Sequence, residues 1–246
     1  MADQLAGKTA VITGGGRGIG RSIAVAYADE GADIALVSRT KEQLDEVAGE
    51  IEKAGRKAIS IPTDITDRAQ VEAMAGKVKD AFGTVDILVN NAGGGIEKRS
   101  IQESDPDLWT QDITVNLISV YLVTHTLLPL MIEGGGGNII NTGSGAGHSS
   151  ASSGCAYRVG KAGLWMFTKC LAEEIWEHGI NVNELIPGPV ATYLTRRGFK
   201  VGGPHPIPSE YVKEPDDVVS LAMWLATQPK TGPTAQSFSL ARRPIV

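Results

Sequence analysis

The sequence predicts an α/β fold in which helices cover both faces of one doubly wound parallel sheet. Short β-rich runs alternate with helical patterns along the whole chain, and this alternation is typical of parallel strands joined by helical crossovers. The early β-rich runs are apolar at successive positions instead of at every second one, as expected for strands buried on both faces.

Seven strands and six helices account for most of the chain. The predicted strands are 9–13, 33–38, 57–62, 85–91, 138–143, 180–186 and 236–240. The predicted helices are 19–30, 42–54, 68–82, 108–132, 157–178 and 215–228. Because this rhythm continues to the end, residues 1–246 are predicted to form a single domain. The irregular stretch 191–211 is too short to fold alone and is predicted to be a short substrate lid.

Composition and charge exclude several classes of function. The net charge is −5 and the chain has no basic stripe, so no nucleic-acid partner is expected. No segment resembles a run of roughly 20 uninterrupted apolar residues, and the first residues lack the layout of a signal peptide. We therefore expect a cytoplasmic protein without a membrane partner.

Cysteine and histidine are too sparse for a disulfide framework or a metal site. The two cysteines and four histidines show no ligand spacing, so no metal is predicted. Cys170 lies in an apolar helical pattern and is predicted to be a core residue. Cys155 adjoins the motif around Tyr157, where a reactive thiol is the less favoured interpretation.

A glycine-rich loop follows the first strand and opens a helix. The segment TGGGRGIG, residues 13–20, has the spacing Gly14-xxx-Gly18-x-Gly20, and Ile19 breaks the stricter G-x-G-x-x-G pattern. Glycines here permit a sharp turn and leave backbone amides at a helix N-terminus, where an anion is favoured. The loop predicts a dinucleotide site, although similar turns also occur for purely structural reasons.

The end of the second strand indicates which dinucleotide is bound. An acidic residue at that position accepts a hydrogen bond from the ribose hydroxyl of NAD, whereas an arginine binds the ribose phosphate of NADP. This chain has Ser38 and Arg39 there and no acid, and Arg17 in the glycine loop is a second candidate for the phosphate. NADP(H) is therefore favoured over NAD(H); the alternative is that both arginines are solvated loop charges.

The motifs together resemble those of the classical short-chain dehydrogenase/reductase (SDR) family. Besides the glycine loop, the chain carries TDIT at 63–66, NNAG at 90–93, VNL at 115–117, Ser144, YRVGK at 157–161 and PGPVAT at 187–192. The similarity extends from Gly7 to about Leu240, and it implies a Rossmann-like fold.

The resemblance also implies roles for individual residues. Cofactor contacts would come from Gly14, Arg17, Gly18, Ile19, Gly20, Ser38, Arg39, Asp64, Ile65, Asn91, Tyr157, Lys161, Val190 and Thr192. Of these, Asp64 and Ile65 would meet the adenine, and Val190 and Thr192 would border the nicotinamide. The catalytic residues would be Asn116, Ser144, Tyr157 and Lys161.

The spacing of Tyr157 and Lys161 suits proton transfer to a carbonyl oxygen. Residues four apart share a helix face, so the ammonium of Lys161 is predicted to lie near the phenol and to lower its pKa from about 10. Ser144 would orient the substrate oxygen. The resemblance implies that Asn116 bends its helix and anchors a water. The alternatives are an ordinary surface pair for Tyr157 and Lys161 and structural hydrogen bonds for Ser144 and Asn116.

Some features depart from the family pattern or extend beyond it. Gly160 replaces a common serine, and the ending TAQSFSLARRPIV is atypical. In the lid, Arg196 and Arg197 are candidates for binding a substrate carboxylate or phosphate, and the favoured alternative is solvation or contact between subunits. His148 and His205 could line the pocket, although a lone histidine in a loop is usually a surface residue. The resemblance suggests a homotetramer formed through helices 108–132 and 157–178.

The predicted function is that of an NADP(H)-dependent oxidoreductase that interconverts a ketone and a secondary alcohol, with Tyr157 as general acid and base. An NAD(H)-preferring sugar or polyol dehydrogenase and a 3-oxoacyl thioester reductase are the enzymatic alternatives. A nucleotide-sensing regulator is the alternative outside catalysis.

Overall fold

The structure, a computed structural model, describes residues 3–193, 195, 200–203 and 205–245. The strands are β1 (Thr9–Thr13), β2 (Asp33–Ser38), β3 (Ala58–Pro62), β4 (Ile87–Asn90), β5 (Gly137–Thr142), β6 (Ile180–Ile186) and β7 (Ser237–Ser239). The helices are α1 (Gly18–Asp29), α2 (Lys41–Lys53), α3 (Arg68–Phe82), α4 (Pro106–Ile113), α5 (Ser119–Glu133), α6 (Cys155–Ile175) and α7 (Val219–Ala226).

The seven strands form one parallel sheet in the order β3-β2-β1-β4-β5-β6-β7. The chain builds outward from β1 to β3 and then returns to place β4 on the other side of β1. This reversal opens a crevice beyond the carboxyl ends of β1 and β4, where ligands bind in doubly wound sheets. The predicted fold class is confirmed.

Two apolar layers, one on each face, bury the central strands. In β1, Ala10 and Ile12 pack into one cluster with residues of α1, α2 and α7, whereas Val11 packs into the other with residues of α3, α5 and α6. Successive side chains of a strand point to opposite faces, so burial on both faces requires the uninterrupted apolar runs seen in the sequence.

The predicted helix 108–132 is interrupted by a turn of π-helix. The chain passes from α4 through Thr114–Ile118, which is π-helical, into α5. A π turn inserts one extra residue per turn and so redirects side chains, and such turns are frequent at functional sites. Asn116 lies in the middle of this turn, which agrees with the expected local distortion.

The helical stretch that contains α4, the π turn and α5 is long and apolar. Pro106–Glu133 is helical over 28 residues with a mean hydropathy of 1.7, long and apolar enough by those measures to cross a membrane. Val123, Leu127 and Met131 on this stretch are buried in the apolar layer under α5. Its apolar character therefore matches that of a helix packed on a sheet.

Cys170 also differs from its prediction, because it is exposed. The buried stripe of α6 runs through Leu164, Thr168, Leu171 and Ile175, which follow helical spacing. Cys170 lies outside this stripe, so its apolar neighbours in sequence do not bury it.

Candidate active site

The glycine loop between β1 and α1 is closed against the end of β4. Gly14 has a φ of +68°, and a Cβ added there would lie 2.8 Å from Asn91 Nδ2. A Cβ on Gly20 would lie 2.3 Å from the carbonyl oxygen of Gly14. Asn91 Nδ2 donates to the Thr13 carbonyl oxygen at 3.0 Å, which fixes the two strand ends together. Only glycine fits at these two positions.

The groups around this loop fit a dinucleotide. Helix α1 starts without a capping side chain and without an acidic residue in its first turn, which leaves backbone amides available to an anion. At the end of β2 the Ser38 Oγ is buried and has no hydrogen-bond partner in the described part of the chain. Arg39 follows it and is exposed. These are the donors that a pyrophosphate and a substituted ribose require.

The two predicted phosphate-binding arginines are placed differently. The guanidinium of Arg17 stacks 4.1 Å from the centre of the Tyr193 ring, at the start of the lid, whereas Arg39 extends into solvent. Asp64 accepts hydrogen bonds from the amide and the hydroxyl of Thr66, which hold it in the turn after β3, and Ile65 beside it is buried. Among the described residues, Arg39 thus lies free at the end of β2, whereas the guanidinium of Arg17 is engaged by the Tyr193 ring.

The segment after β6 meets the glycine loop from the other side. Val190 is buried and forms an isolated parallel bridge with Lys213. The Cγ2 of Thr192 lies 3.6 Å from the position of a Cβ on Gly18. The predicted cofactor residues of both segments thus line one crevice.

The four predicted catalytic residues come from three separate elements. Ser144 follows β5, Asn116 lies in the π turn, and Tyr157 and Lys161 lie in the first turns of α6. A Cβ added to Gly93 would lie 2.9 Å from Asn116 Oδ1 and 3.3 Å from Lys161 Nζ. Asn116 and Lys161 therefore converge on the loop after β4.

Asn116 ties this loop to the π turn. Its Oδ1 accepts from the Gly94 amide at 3.2 Å, and its Nδ2 donates to the carbonyl oxygens of Gly94 and Asp112. Gly160 explains how α6 approaches so closely, since a Cβ there would lie 3.0 Å from the Asn116 Cβ. The helix-propensity cost of this glycine, about 1 kcal/mol relative to alanine, accompanies tight packing against the site.

The predicted lowering of the Tyr157 pKa by Lys161 is wrong for this structure. Desolvation raises the pKa of Tyr157, and the nearby Ser144 hydroxyl offsets only part of that effect. Lys161 Nζ lies 6.0 Å from the centre of the phenol ring and donates to the Thr142 carbonyl oxygen at 2.7 Å. Helical spacing gave the correct face but not the direction in which the ammonium points.

The pKa of Lys161 is itself strongly shifted. Burial lowers its pKa to about 8, while the carboxylates of Glu184 and Asp112 oppose this effect. Only 4% of the residue is exposed. The ammonium therefore titrates close to neutral pH, as is typical of groups at active sites.

Sequence reasoning missed Glu184, and it named His148 as a residue that could line the pocket but expected it at the surface. Glu184 is fully buried in β6, and its Oε2 lies 3.0 Å from His148 Nε2 and 2.5 Å from Ser237 Oγ. The His148 side chain is 7% exposed, so its expected surface position is wrong. A Cβ on Gly143 would lie 1.8 Å from Glu184 Oε1, so this carboxylate occupies the space beside the loop that carries Ser144. The available signal was a lone carboxylate inside the buried strand INVNELI.

Leu194, Arg196, Arg197 and Phe199 lie outside the described residues. His205 Nδ1 accepts from the Ile207 amide at 3.1 Å, within the lid itself.

The parallel sheet with its glycine loop, and the grouped tyrosine, lysine and serine at the same edge, define an oxidoreductase that uses a nicotinamide cofactor. Residues 8–200 match the family model described as short chain dehydrogenase, and the chain belongs to that family.

Relatives and solved structures agree with this assignment. The oxidoreductase YxbG of Bacillus subtilis is 34% identical over 96% of this chain and 90% of its own. The ketoacyl reductase HetN of a Nostoc species is 36% identical over 80% of this chain and 67% of its own. Carveol dehydrogenase from Mycobacterium avium, solved in complex with NAD, is similar with a TM-score of 0.88 and 27% identity, covering 96% of this chain and 97% of the other.

Proposed function

We propose that the chain is a single-domain NADP(H)-dependent reductase of ketones and dehydrogenase of secondary alcohols, with Tyr157 as general acid and base. The observation that carries this proposal is the convergence of Asn116 and Lys161 on Gly93, with the Tyr157 ring 3.8 Å from the position of a Cβ on Gly95. Glycines at positions 93 and 95 place no side chain against the Tyr157 ring or the Lys161 ammonium.

The roles of the residues follow from their chemistry. A bound nicotinamide supplies or accepts the hydride. The Tyr157 hydroxyl transfers a proton to the carbonyl oxygen during reduction and receives it during oxidation. Ser144 donates a hydrogen bond to the same oxygen and orients it. Lys161, whose Nζ is held by the Thr142 carbonyl oxygen, would hold the ribose hydroxyls next to the nicotinamide, as the family resemblance implies.

The choice of NADP(H) is supported by the groups at the end of β2. The exposed Arg39 and the unpaired Ser38 Oγ suit a ribose phosphate, and no carboxylate follows β2 to accept a ribose hydroxyl. The NAD-bound carveol dehydrogenase keeps NAD(H) as the second candidate.

Two further enzymatic functions and one regulatory function are the alternatives. An NAD(H)-preferring sugar or polyol dehydrogenase would use the same residues, and so would a 3-oxoacyl thioester reductase, a possibility supported by the similarity to HetN. A nucleotide-sensing regulator would bind the cofactor without needing Tyr157. Turnover of any carbonyl compound separates the enzymes from the regulator.

We also propose that the protein is a cytoplasmic homotetramer that assembles through the surfaces of α5 and α6. Tyr121 on α5 and Met166 on α6 are 46% and 48% exposed, and Ile118 and Val159 nearby are similarly exposed. Apolar patches of this kind are typical of interfaces between subunits. A monomeric mass by light scattering would contradict the assembly.

Tyr157→Phe tests the assigned acid. Removing the hydroxyl should lower the rate of ketone reduction by roughly 100- to 10,000-fold, the usual contribution of a general acid. NADPH binding, followed by quenching of intrinsic fluorescence, should stay within about threefold of wild type because the ring remains. Unchanged turnover would reject Tyr157 as the acid.

Arg39→Asp tests the cofactor preference. A carboxylate should repel the ribose phosphate and accept a ribose hydroxyl, so the ratio of kcat/KM for NADPH over NADH should fall by roughly 10- to 100-fold. The exposed Arg68→Asp, at the start of α3, changes the net charge equally and should leave this ratio near its wild-type value. An equal ratio in wild type and Arg39→Asp would remove the basis for NADP(H).

A further inference from the structure

The last residues of the chain, 239–245, fold over the loop that carries Ser144; we call this segment the tail. Leu240 is anchored by its amide to the Ile186 carbonyl oxygen at 2.9 Å, directly beyond β6. A Cβ added to Gly145 would lie 2.9 Å from Arg243 Nη2 and 3.1 Å from Ile245 Cδ1. The tail therefore brings a guanidinium and an apolar side chain against the residue that follows Ser144.

A second cation reaches the same region from the end of the lid. Lys213 is only 4% exposed, and its Nζ forms neither a hydrogen bond nor an ion pair with any residue that the structure describes. This nitrogen lies 3.0 Å from the position of a Cβ on Gly188, in the segment that leads to Val190 and Thr192. Burying an ammonium without a partner is costly, so an unpaired lysine at this position needs an explanation.

The buried carboxylate of Glu210 acts on both cations. Glu210 is 5% exposed, and its Oε1 lies 3.5 Å from Arg243 Nε, too far for a normal hydrogen bond. Its Oε2 accepts from the Arg242 amide at 3.1 Å. Burial lowers the pKa of Lys213, and the negative charge of Glu210 opposes that effect. The charge of Asp217 also favours the ammonium of Lys213, and that of Arg242 opposes it, but neither residue gives its Nζ a hydrogen bond.

The comparison with Lys161 shows what is unusual here. Lys161 is buried to the same extent, but its ammonium donates to the Thr142 carbonyl oxygen. Lys213 has no such acceptor, although the Tyr211 ring lies 5.1 Å from its Nζ. A ring face alone does not satisfy three N–H donors. An anion that enters from the crevice would supply the acceptor that Lys213 lacks.

We propose that Lys213 and Arg243 bind a carboxylate group of the substrate, so that this enzyme prefers oxo acids and hydroxy acids to neutral ketones and alcohols. The proposal rests on the proposed function, because it concerns the substrate of that same site. Arginine binds carboxylates through two parallel hydrogen bonds, and lysine adds a point charge. The tail thus determines specificity, with Ile245 as an apolar contact beside the anion.

Matched pairs of substrates test this assignment. Pyruvate, acetoacetate and levulinate are each compared with their methyl esters, which keep the carbonyl but lack the charge. We expect wild type to have the higher kcat/KM for the acid in at least one pair, by roughly 10- to 100-fold. In Arg243→Met and in Lys213→Met that ratio of acid to ester should fall by roughly tenfold or more.

Arg242→Met is the matched control. Arg242 is the neighbouring residue, carries the same charge and is exposed, with its guanidinium 5.6 Å from the centre of the Tyr211 ring. The acid-to-ester ratio of this variant should stay within about threefold of wild type, since an exposed charge contributes little. If Arg242→Met and Arg243→Met lowered the acid-to-ester ratio equally, the effect would come from net charge alone and the proposed site would be wrong.

Calorimetry separates this inference from the proposed function. Levulinate is titrated into Tyr157→Phe and into Tyr157→Phe with Arg243→Met, both with NADP⁺ present. If levulinate binds to Tyr157→Phe but not to the double variant, the carboxylate site is supported. Should no carbonyl compound be reduced in the same series, the proposed function is rejected and the site still stands. Reduction of the esters at least as fast as the acids in all three pairs, without levulinate binding, would overturn the inference and leave the proposed function standing.

Discussion

Glycines without room for a side chain lie on both the cofactor side and the substrate side of the crevice, but different groups fill the space beside them. At Gly20 the space of a side chain is occupied by backbone, the Gly14 carbonyl oxygen at 2.3 Å. At Gly143 the same space is occupied by a side chain, the Glu184 carboxylate, at 1.8 Å from its Oε1. The backbone of the glycine loop cannot move without losing its anion-binding shape, whereas a carboxylate can be exchanged. A side chain added at Gly20 therefore meets backbone, whereas one added at Gly143 meets a carboxylate that a second substitution can remove.

The largest effect is expected from Gly20→Ala. The new methyl group meets backbone and should lower the free energy of unfolding by about 3 kcal/mol, as overpacking does. It should also weaken NADPH binding by roughly 100-fold or more, because it displaces the amides that we propose bind the pyrophosphate. Urea denaturation and a fluorescence titration measure the two effects.

Gly76→Ala is the control for that variant. Gly76 lies in α3, and a Cβ there meets nothing within 4 Å. The substitution should stabilise the protein by about 1 kcal/mol through helix propensity and leave NADPH binding unchanged. If Gly20→Ala behaved like this control, the claim that backbone crowding shapes the cofactor side would be wrong.

The next largest effect is the pH dependence of the contribution that Lys161 makes to the free energy of unfolding. Its pKa is lowered to about 8 in the folded protein, below the value of about 10.4 expected in the unfolded chain. Between these two values the unfolded chain binds more protons, so the contribution of Lys161 to the free energy of unfolding rises with pH. We expect this contribution to increase by about 1.6 kcal/mol between pH 8 and pH 9.5.

Lys161→Met isolates that contribution. The difference in unfolding free energy between wild type and Lys161→Met, from urea denaturation at each pH, should show the rise. Lys169→Met replaces a lysine of the same helix that is not buried and should show no such difference. A pH-independent difference between wild type and Lys161→Met would mean that Lys161 is not desolvated as the structure indicates.

The smallest expected effect is the energetic coupling between Gly143 and Glu184, which a double-mutant cycle measures. Gly143→Ala should destabilise the protein because its methyl group collides with Glu184, and Glu184→Ala should destabilise it by removing the partner of His148 and Ser237. The double variant should be more stable than the sum of the two single effects predicts, with a coupling of about 1–2 kcal/mol. Additive effects would show that the two positions are independent.

Much of this fold was predictable from sequence because its signals are local. Uninterrupted apolar runs such as TAVIT mark strands buried on both faces, and the structure gives the predicted bounds for β1 and β2. The glycine loop was equally clear, since Gly14 and Gly20 are required by close approaches of the backbone within a short segment. The membership of the family followed from motifs in sequence order.

The remaining features of the candidate site depended on which distant residues contact each other in the folded chain. The sequence by itself determined the sheet, the glycine loop and the spacing of Tyr157 and Lys161, because each depends on neighbouring residues and their backbone preferences. Only the tertiary structure decided that Lys161 points to Thr142, that Glu184 pairs with His148, and that Arg243 lies beside Gly145. Those outcomes depend on desolvation and on contacts between distant segments, and neither is encoded in local spacing.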